Sequence, residues 1–314
     1  MKKLLAIAVA AALTAPAAMA ETTLYGKLHA SAGQVKTNGV KENVVESHNS
    51  RIGVKGSTEL DNGLSATYGV EYGLNLDGDN GTSATAKTLN ARNTFVGVKG
   101  GFGEVRVGRH DTPAKLATAG LDAFADGYAD MSNIIEADGQ RVDNVVAYIG
   151  KFGPVGVAAA HSTDISAEDT DGGKDANSML VNYSNGPIYA GLGHTAVQST
   201  KKMTNLGVGY KAEAGHFANV VLEQVKDTPT GNKTDNAYVA GGFKTGAATL
   251  KVGYGESKFK PTGQKEKQTT LGVDYSLGKK TSTYLLLNED KNIDLNSTTD
   301  DKTTQAVVGV VTEF

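Results

Sequence analysis

The chain has 314 residues, with 31 basic against 34 acidic side chains, 39% hydrophobic residues and no cysteine. A formal net charge of −3 excludes a polybasic protein of the kind that binds nucleic acid through charge. The lack of cysteine excludes a disulfide-stapled scaffold. A mean hydropathy of −0.28 fits both a water-soluble protein and a wide β-barrel, because half of each barrel strand faces water.

The first twenty residues have the layout of a secretory signal peptide. Met1-Lys2-Lys3 provides a positive start, residues 4–12 an apolar run, and Ala18-Met19-Ala20 a small-residue cleavage site. A membrane anchor is the alternative, but the apolar run is shorter than the ~20 residues that a spanning helix needs. We therefore predict cleavage between Ala20 and Glu21, which removes residues 1–20 and leaves residues 21–314 as the exported barrel domain.

Turn-forming residues divide the rest of the chain at regular intervals. Gly, Asn, Asp and Pro favour the backbone conformations of tight turns. Seven short turns are predicted, at residues 61–63, 101–103, 153–154, 185–187, 213–215, 245–246 and 278–280. Eight longer or more polar connections alternate with them, near residues 36–49, 75–90, 110–140, 162–177, 198–203, 227–235, 258–268 and 290–302. These fifteen connections predict sixteen strands, with short turns on one side of a membrane and long loops on the other.

The strands between these turns alternate between apolar and small or polar side chains. In residues 248–255, Leu250, Val252 and Tyr254 fall on one face of the strand. The same alternation is found in residues 64–73, 270–277 and 305–314. A water-soluble β-sandwich is the alternative, but its core needs bulky apolar side chains on the inner faces of two sheets. Here the second face carries mainly Gly, Ser, Thr, Lys, Arg and Glu, which favours a water-filled barrel.

The connection at residues 110–140 is long enough to narrow such a channel. Its candidate pore-facing carboxylates are Asp122, Asp126, Asp130 and Glu136, and Asp138 follows them. A solvated surface loop is the alternative reading. However, the segment also carries apolar side chains that favour packing against an inner wall, namely Leu116, Leu121, Phe124, Tyr128, Met131, Ile134 and Ile135. The predicted fold is therefore an all-β, 16-stranded antiparallel transmembrane β-barrel with an inward-folded third loop.

Basic side chains on the strands supply the opposite charge. The candidates are Arg51, Arg109 and Arg141, with Arg92, Arg106 and Lys27 in similar positions. An arginine on the lipid face costs roughly 2–4 kcal/mol at mid-depth, so these side chains are expected to face the lumen. An ordinary charge at the rim of the barrel is the alternative for each one. Together with the acidic loop they would create a field across the narrowest part of the channel.

At this point the sequence resembles the trimeric general porins of Gram-negative bacteria, in their neisserial and betaproteobacterial branch. The ordered segments that carry the resemblance are Thr23-Leu24-Tyr25-Gly26-Lys27-Leu28, Ser50-Arg51-Ile52-Gly53-Val54-Lys55-Gly56, Arg92-Asn93-Thr94-Phe95-Val96-Gly97-Val98, Val107-Gly108-Arg109, Arg141-Val142-Asp143-Asn144 and the terminal Phe314. The resemblance covers all of the chain after the signal peptide.

The resemblance implies a homotrimer in the outer membrane, surrounded by lipid and lipopolysaccharide. Arg51, Arg109 and Arg141 match the basic positions of the family's constriction, and Lys27 and Arg92 match in part. Phe314 matches the signal that the outer-membrane assembly machinery reads. The third loop lacks the Pro-Glu-Phe-Gly motif of enterobacterial relatives, so the alignment does not choose among its carboxylates.

No catalytic, cofactor-binding or metal-binding motif is recognised in the sequence. Asp77-Gly78-Asp79-Asn80-Gly81 has a composition that could bind calcium, but a solvated acidic loop is the favoured interpretation. The predicted function is a passive channel for small hydrophilic solutes and ions, filtered by size and charge. The alternatives are a porin specific for phosphate, an organic acid or a sugar, and an exported β-rich adhesin.

Overall fold

The computed structural model describes residues 21–77, 89–165, 174–293 and 301–314. Seventeen strand segments form one sheet. They are β1 (Glu21–Thr37), β2 (Val40–Ser47), β3 (Ser50–Glu59), β4 (Ser65–Leu74), β5 (Leu89–Gly100), β6 (Gly103–Asp111), β7 (Arg141–Phe152), β8 (Val155–Ser162), β9 (Ala176–Asn185), β10 (Ile188–Val197), β11 (Lys201–Lys211), β12 (Phe217–Asp227), β13 (Lys233–Thr245), β14 (Ala248–Phe259), β15 (Lys265–Ser276), β16 (Thr281–Ile293) and β17 (Asp301–Glu313). The predicted signal peptide, residues 1–20, lies outside the described residues.

Helical structure is limited to one short α-helix and four 3₁₀ turns in the described ranges. The helix is α1 (Pro113–Thr118), and the turns cover Asp61–Gly63, Ala119–Leu121, Met131–Asn133 and Glu136–Gly139. Within the same ranges, no helix has both the length and the apolar character needed to cross a membrane.

The sheet closes on itself through β1. Residues 27–37 of β1 pair antiparallel with β17, while residues 21–27 pair with β3 on the other side. At this seam the Phe314 N–H donates to the Gly26 carbonyl at 3.1 Å, and the Gly26 N–H donates to the Phe314 carbonyl at 3.3 Å. A closed sheet has no free edge, so its backbone groups are paired by neighbouring strands.

The seventeen segments make sixteen barrel strands, because β2 and β3 are two halves of one strand. Ala30 of β1 faces Ser47 in β2, and Lys27 of β1 faces Arg51 in β3. Two residues of β1 therefore oppose three residues between β2 and β3, which is a β-bulge. Asn49 adopts a positive φ of 48° within this bulge. The prediction of a 16-stranded antiparallel barrel is confirmed.

The two faces of the barrel carry apolar side chains outside and polar side chains inside, the reverse of the arrangement found in water-soluble proteins. On one face, large aliphatic side chains are exposed, such as Leu271 at 55% and Val308 at 56%. On the other, Asn205, Glu223 and Gln268 are buried to 4% exposure or less. An aliphatic outer face against hydrocarbon and a polar inner face are what a transmembrane barrel requires.

The seven predicted tight turns are all found between strands. The predicted long loop at residues 36–49 is wrong, because β1 continues to Thr37 and a tight turn at Asn38 and Gly39 leads directly into β2. Most of β2 is exposed to solvent, so its polar composition resembles that of a loop although its backbone pairs with β1. Parts of three other predicted loops lie outside the described residues, at 78–88, 166–173 and 294–300.

The seam between β1 and β17 generates a stability prediction. A Cβ atom on Gly33 would lie 2.2 Å from the Ala306 carbonyl oxygen and 2.7 Å from the Val307 Cα, both backbone atoms that cannot move aside cheaply. We expect Gly33→Ala to destabilise the barrel by about 1–3 kcal/mol through overpacking. The matched control is Gly241→Ala in β13, where the nearest atom, the Phe217 carbonyl oxygen, is 3.5 Å away. The measurement is the temperature at which the folded band is lost in SDS gels; equal temperatures for the two variants would contradict the prediction.

Candidate functional site in the loop between β6 and β7

The segment between β6 and β7, residues 112–140, is called the long loop below. Its predicted start at residue 110 is two residues early, because His110 and Asp111 belong to β6. The loop opens with α1, whose first turn is capped by Thr112: the Thr112 Oγ1 accepts a hydrogen bond from the Lys115 N–H at 3.2 Å. Pro113 at the first helical position is suited to that site because it lacks the N–H that would have no helical partner.

Glycines on the strands let the long loop approach the barrel wall closely. A Cβ on Gly191 of β10 would lie 2.3 Å from the Ala117 carbonyl oxygen, so a side chain there would displace α1. In β14, Gly253 faces the ring of Phe124 and Gly255 faces Ile134 in the same manner. Each of these strands thus presents a flat surface where a larger residue would exclude the loop.

Side chains of β12 and β14 form hydrogen bonds with the backbone of the loop. Asn219 of β12 donates to the Leu121 carbonyl at 2.8 Å, and Lys251 of β14 donates to the Ala123 carbonyl at 2.7 Å. Glu223 of β12 accepts from the N–H groups of residues 136 and 137, both at 2.8 Å. These side chains belong to the polar face of the barrel.

Apolar packing supplements these hydrogen bonds. One buried cluster joins loop and strand residues: Leu121, Met131, Ile134, Ile135, Val221, Tyr238 and Ala240. A second contains Phe124 and Ala129 of the loop with Leu286 and Val307 of the strands. Most of the predicted apolar side chains of the loop are therefore packed against the wall, whereas Leu116 is 37% exposed.

Asp126 joins the loop to two of the predicted basic residues. Its Oδ2 lies 2.7 Å from the Lys27 Nζ in β1 and 2.9 Å from the Arg51 Nη1 in β3. Burial alone would raise the pKa of Asp126, but Arg51 and Lys27 outweigh that effect and hold the pKa below its ordinary value. Asp126 is thus an ionised carboxylate shared by two cations.

The other predicted arginines pair with strand carboxylates that the sequence analysis did not single out. Arg92 contacts Glu71 at 2.5 Å, Arg109 contacts Asp143 at 2.6 Å, and Arg141 contacts Asp111 at 2.8 Å. Arg106 pairs with Glu104 at 2.7 Å, nearer the tight turn between β5 and β6. Of these carboxylate partners, Asp143 alone lies in a segment that carries the family resemblance, residues 141–144.

Three β-bulges lie beside these basic residues. The first immediately precedes Arg51. The second places Arg92 and the next residue opposite Glu71, and the third lies opposite Arg109. A bulge bends its strand and redirects the side chains around it, so it can turn several basic groups of neighbouring strands toward one region.

The remaining predicted carboxylates lie in two other surroundings. Glu136 pairs with Lys201 of β11. Asp122 and Asp130 lie beside Asp138, with one carboxylate oxygen from each of the three within 4.8 Å of the others. Burial, together with repulsion from Asp130, raises the pKa of Asp122 to about 7. Burial, together with repulsion from Asp130 and Asp122, raises the pKa of Asp138 to about 8.

Comparison with known proteins identifies the family. Residues 6–295 match the model of the Gram-negative porin family. The chain belongs to the Gram-negative porins. It is 28% identical to the major outer membrane protein P.IB of Neisseria sicca, over 90% of this chain and 92% of that protein. The resemblance to the neisserial branch is confirmed, and the chain is an outer-membrane porin.

Solved structures share the fold. An anion-selective porin from Comamonas acidovorans superposes with a TM-score of 0.79 at 24% identity. The superposition covers 94% of this chain and 100% of that one. The trimer form of OmpT from Vibrio cholerae superposes with a TM-score of 0.71 at 16% identity, covering 94% of this chain and 99% of that one. At these identities the likeness concerns the barrel fold.

The raised pKa values of Asp122 and Asp138 predict that the long loop of the porin is held more firmly at low pH. A carboxyl group whose pKa is raised by folding keeps its proton in the folded state where the unfolded chain has lost it, so stability falls as the pH rises. The window runs from the ordinary value of 3.8 to about 7 for Asp122 and to about 8 for Asp138. In chelator-containing buffer, we expect amides of residues 122–138 to exchange more slowly at pH 5 than at pH 8 after correction for intrinsic rates. Asp138→Asn should reduce this difference, and an equal pH response in that variant would contradict the assignment.

Proposed function

We propose that this porin is a passive, water-filled diffusion channel for small hydrophilic solutes and ions, narrowed by the long loop folded into its lumen. The observation that carries the proposal is the set of contacts between one loop and the polar faces of β1, β3, β10, β12 and β14. A loop that contacts distant strands through the inner face of a closed ring has to cross the interior. A sixteen-stranded barrel leaves an aqueous channel, so the loop would set the size limit.

The charge filter rests on the basic side of this proposed constriction. Six basic side chains gather there with only four carboxylate partners: Lys27, Arg51, Arg92, Arg109, Lys115 and Arg141 against Glu71, Asp111, Asp126 and Asp143. The local excess of positive charge favours small anions there, although the whole chain is acidic.

A general rather than a substrate-specific channel is supported by the pairing of the arginines. In the described part of the chain, Arg51, Arg92, Arg106, Arg109 and Arg141 each have a carboxylate partner. A tight anion site needs guanidinium groups free for bidentate contact with the solute. Paired arginines instead provide a fixed field that does not hold one solute. Membership of the Gram-negative porin family excludes the alternative of an exported adhesin.

We further propose that the porin forms a homotrimer within the outer membrane, in contact with lipid and lipopolysaccharide. Support comes from a relative of the same fold that was solved in a trimer form. The role of Phe314 as a signal for the outer-membrane assembly machinery is proposed from the family resemblance. We also propose that the signal peptide is cleaved after Ala20.

Removing a positive charge from the constriction should shift the ion preference toward cations. We expect this for Arg109→Ala and for Arg141→Ala, because each leaves its carboxylate partner without a guanidinium. A unit charge about 8 Å from the permeating ion is worth ~0.5 kcal/mol in water, and because anions and cations respond oppositely this is roughly fivefold in the anion-to-cation permeability ratio. The measurement is the reversal potential in planar bilayers under a KCl gradient. Lys202→Ala, on the exposed face of β11, is the control and should keep the parent value; reversal potentials unchanged in both arginine variants would refute the charge filter.

Asp126→Asn should shift the preference in the opposite direction. The change keeps the size of the side chain but leaves Lys27 and Arg51 without their shared carboxylate, so anions gain. The change also weakens the attachment of the long loop around residue 126. Single-channel records of the variant should therefore show larger current noise than those of the parent porin. A shift toward cations in the same KCl gradient would contradict the proposed arrangement.

A further inference from the structure

The cluster of Asp122, Asp130 and Asp138 has the geometry of a divalent-cation site. We propose that the long loop binds one Ca²⁺ ion between these three carboxylates. One oxygen from each residue lies within 4.8 Å of the other two. Two oxygens on opposite sides of a Ca²⁺ ion, each about 2.4 Å from it, are about 4.8 Å apart, so separations up to that limit are compatible with one shared ion. Mg²⁺ holds its ligands at about 2.1 Å and would draw them closer together.

A buried oxygen without a partner points to the missing ligand. Asp138 is only 7% exposed, and its Oδ1 accepts no hydrogen bond from the residues that the structure describes. Burying a carboxylate oxygen without a donor or a cation is costly, and such groups are rare in folded proteins. The Asp138 carboxylate lies against those of Asp122 and Asp130, so its vacant lone pairs and theirs can serve one ion.

The other two carboxylates are held in place by the protein. Asp122 accepts from the Phe124 and Met131 N–H groups at 2.8 and 2.9 Å, and from the Tyr238 hydroxyl at 3.2 Å. Asp130 accepts from the Ser132 N–H at 2.8 Å and the Asp126 N–H at 2.6 Å. Each carboxylate oxygen has two lone pairs, so these contacts orient the groups and still leave capacity for a cation.

The charge balance supports the same reading. Lys115 acts favourably on Asp138, but its ammonium group is itself paired with Asp111 at 3.3 Å. Three ionised carboxylates repel one another at these short separations. A doubly charged cation removes that conflict and allows all three to ionise.

Bound Ca²⁺ would tie together three points that are eight residues apart along the loop. The ion would cross-link residues 122–138 and rigidify the part of the loop that packs on β12, β13 and β14. The site depends on the loop's own contacts and not on the proposed charge filter. Binding and ion selectivity can therefore fail separately.

The test uses porin refolded without lipopolysaccharide in a non-ionic detergent, because lipopolysaccharide itself binds divalent cations. Tb³⁺ replaces Ca²⁺ as a luminescent probe and is excited through nearby tyrosine, here Tyr238. We expect saturable emission with one Tb³⁺ per chain, displaced by Ca²⁺. Asp138→Asn and Asp130→Asn should each weaken binding at least tenfold, whereas the control Glu213→Gln, at the exposed turn between β11 and β12, should bind as the parent does.

A second measurement needs no substitution and covers the case in which the variants misfold. In the parent porin at pH 8, we expect Ca²⁺ to slow hydrogen exchange of residues 122–138 and to leave the strand amides unchanged. Emission that does not saturate, or that is unaltered in folded Asp138→Asn, would overturn the proposal. Loop exchange that is the same with Ca²⁺ and with chelator would also overturn it.

Discussion

The closed ring of backbone hydrogen bonds is the constraint on which the rest of this porin depends. Hydrocarbon offers no partner to an unpaired N–H or carbonyl, so a sheet that crosses a membrane has to join its first strand to its last. Here β1 pairs with β17 over residues 27–37, and Gly26 exchanges two hydrogen bonds with Phe314. Closure produces two environments, one facing lipid and one facing water. The alternation of side chains along each strand is the response to those environments.

Closure also creates the space that the long loop occupies. A loop that packs on an inner wall needs flat places where backbones can approach, and glycines of β10 and β14 provide them. It also needs donors and acceptors for its own backbone, which Asn219, Glu223 and Lys251 supply. Polar residues on the inner face thus hold the loop in place by hydrogen bonds to its backbone. This explains how a wall without a continuous apolar core can still hold the loop in one position.

Electrostatics divides the loop into two regions. At its middle, Asp126 is stabilised in the ionised form by two cations, and three other arginines are paired with carboxylates of adjacent strands. On either side of Asp126 in the chain, Asp122, Asp130 and Asp138 lie together, and no basic side chain of the described residues forms an ion pair with them. The first region fits a fixed field that a solute passes, and the second fits a bound counter-ion. Both arise because a single loop directs the Asp126 carboxylate to Lys27 and Arg51 and turns its other three aspartates toward one another.

Much of the architecture could be predicted because the underlying patterns are local. Period-two alternation and turn chemistry depend on neighbouring residues, so they indicated sixteen strands, the lipid-facing side chains and the seven tight turns before any contact was known. The segment at residues 36–49 was the exception, since a strand that projects into water has the composition of a loop.

The basic candidates were recognisable because an arginine is too costly on the lipid face, so its type and strand position suffice. Their partners were not, since Glu71, Asp111 and Asp143 meet the arginines through pairing between strands and through bulges. Likewise, only the folded loop brings Asp122, Asp130 and Asp138 together and directs the Asp126 carboxylate to Lys27 instead. The sequence by itself determined which residues face lipid or water. The tertiary structure decided which charges meet, because strand register and loop packing bring together residues far apart in the chain.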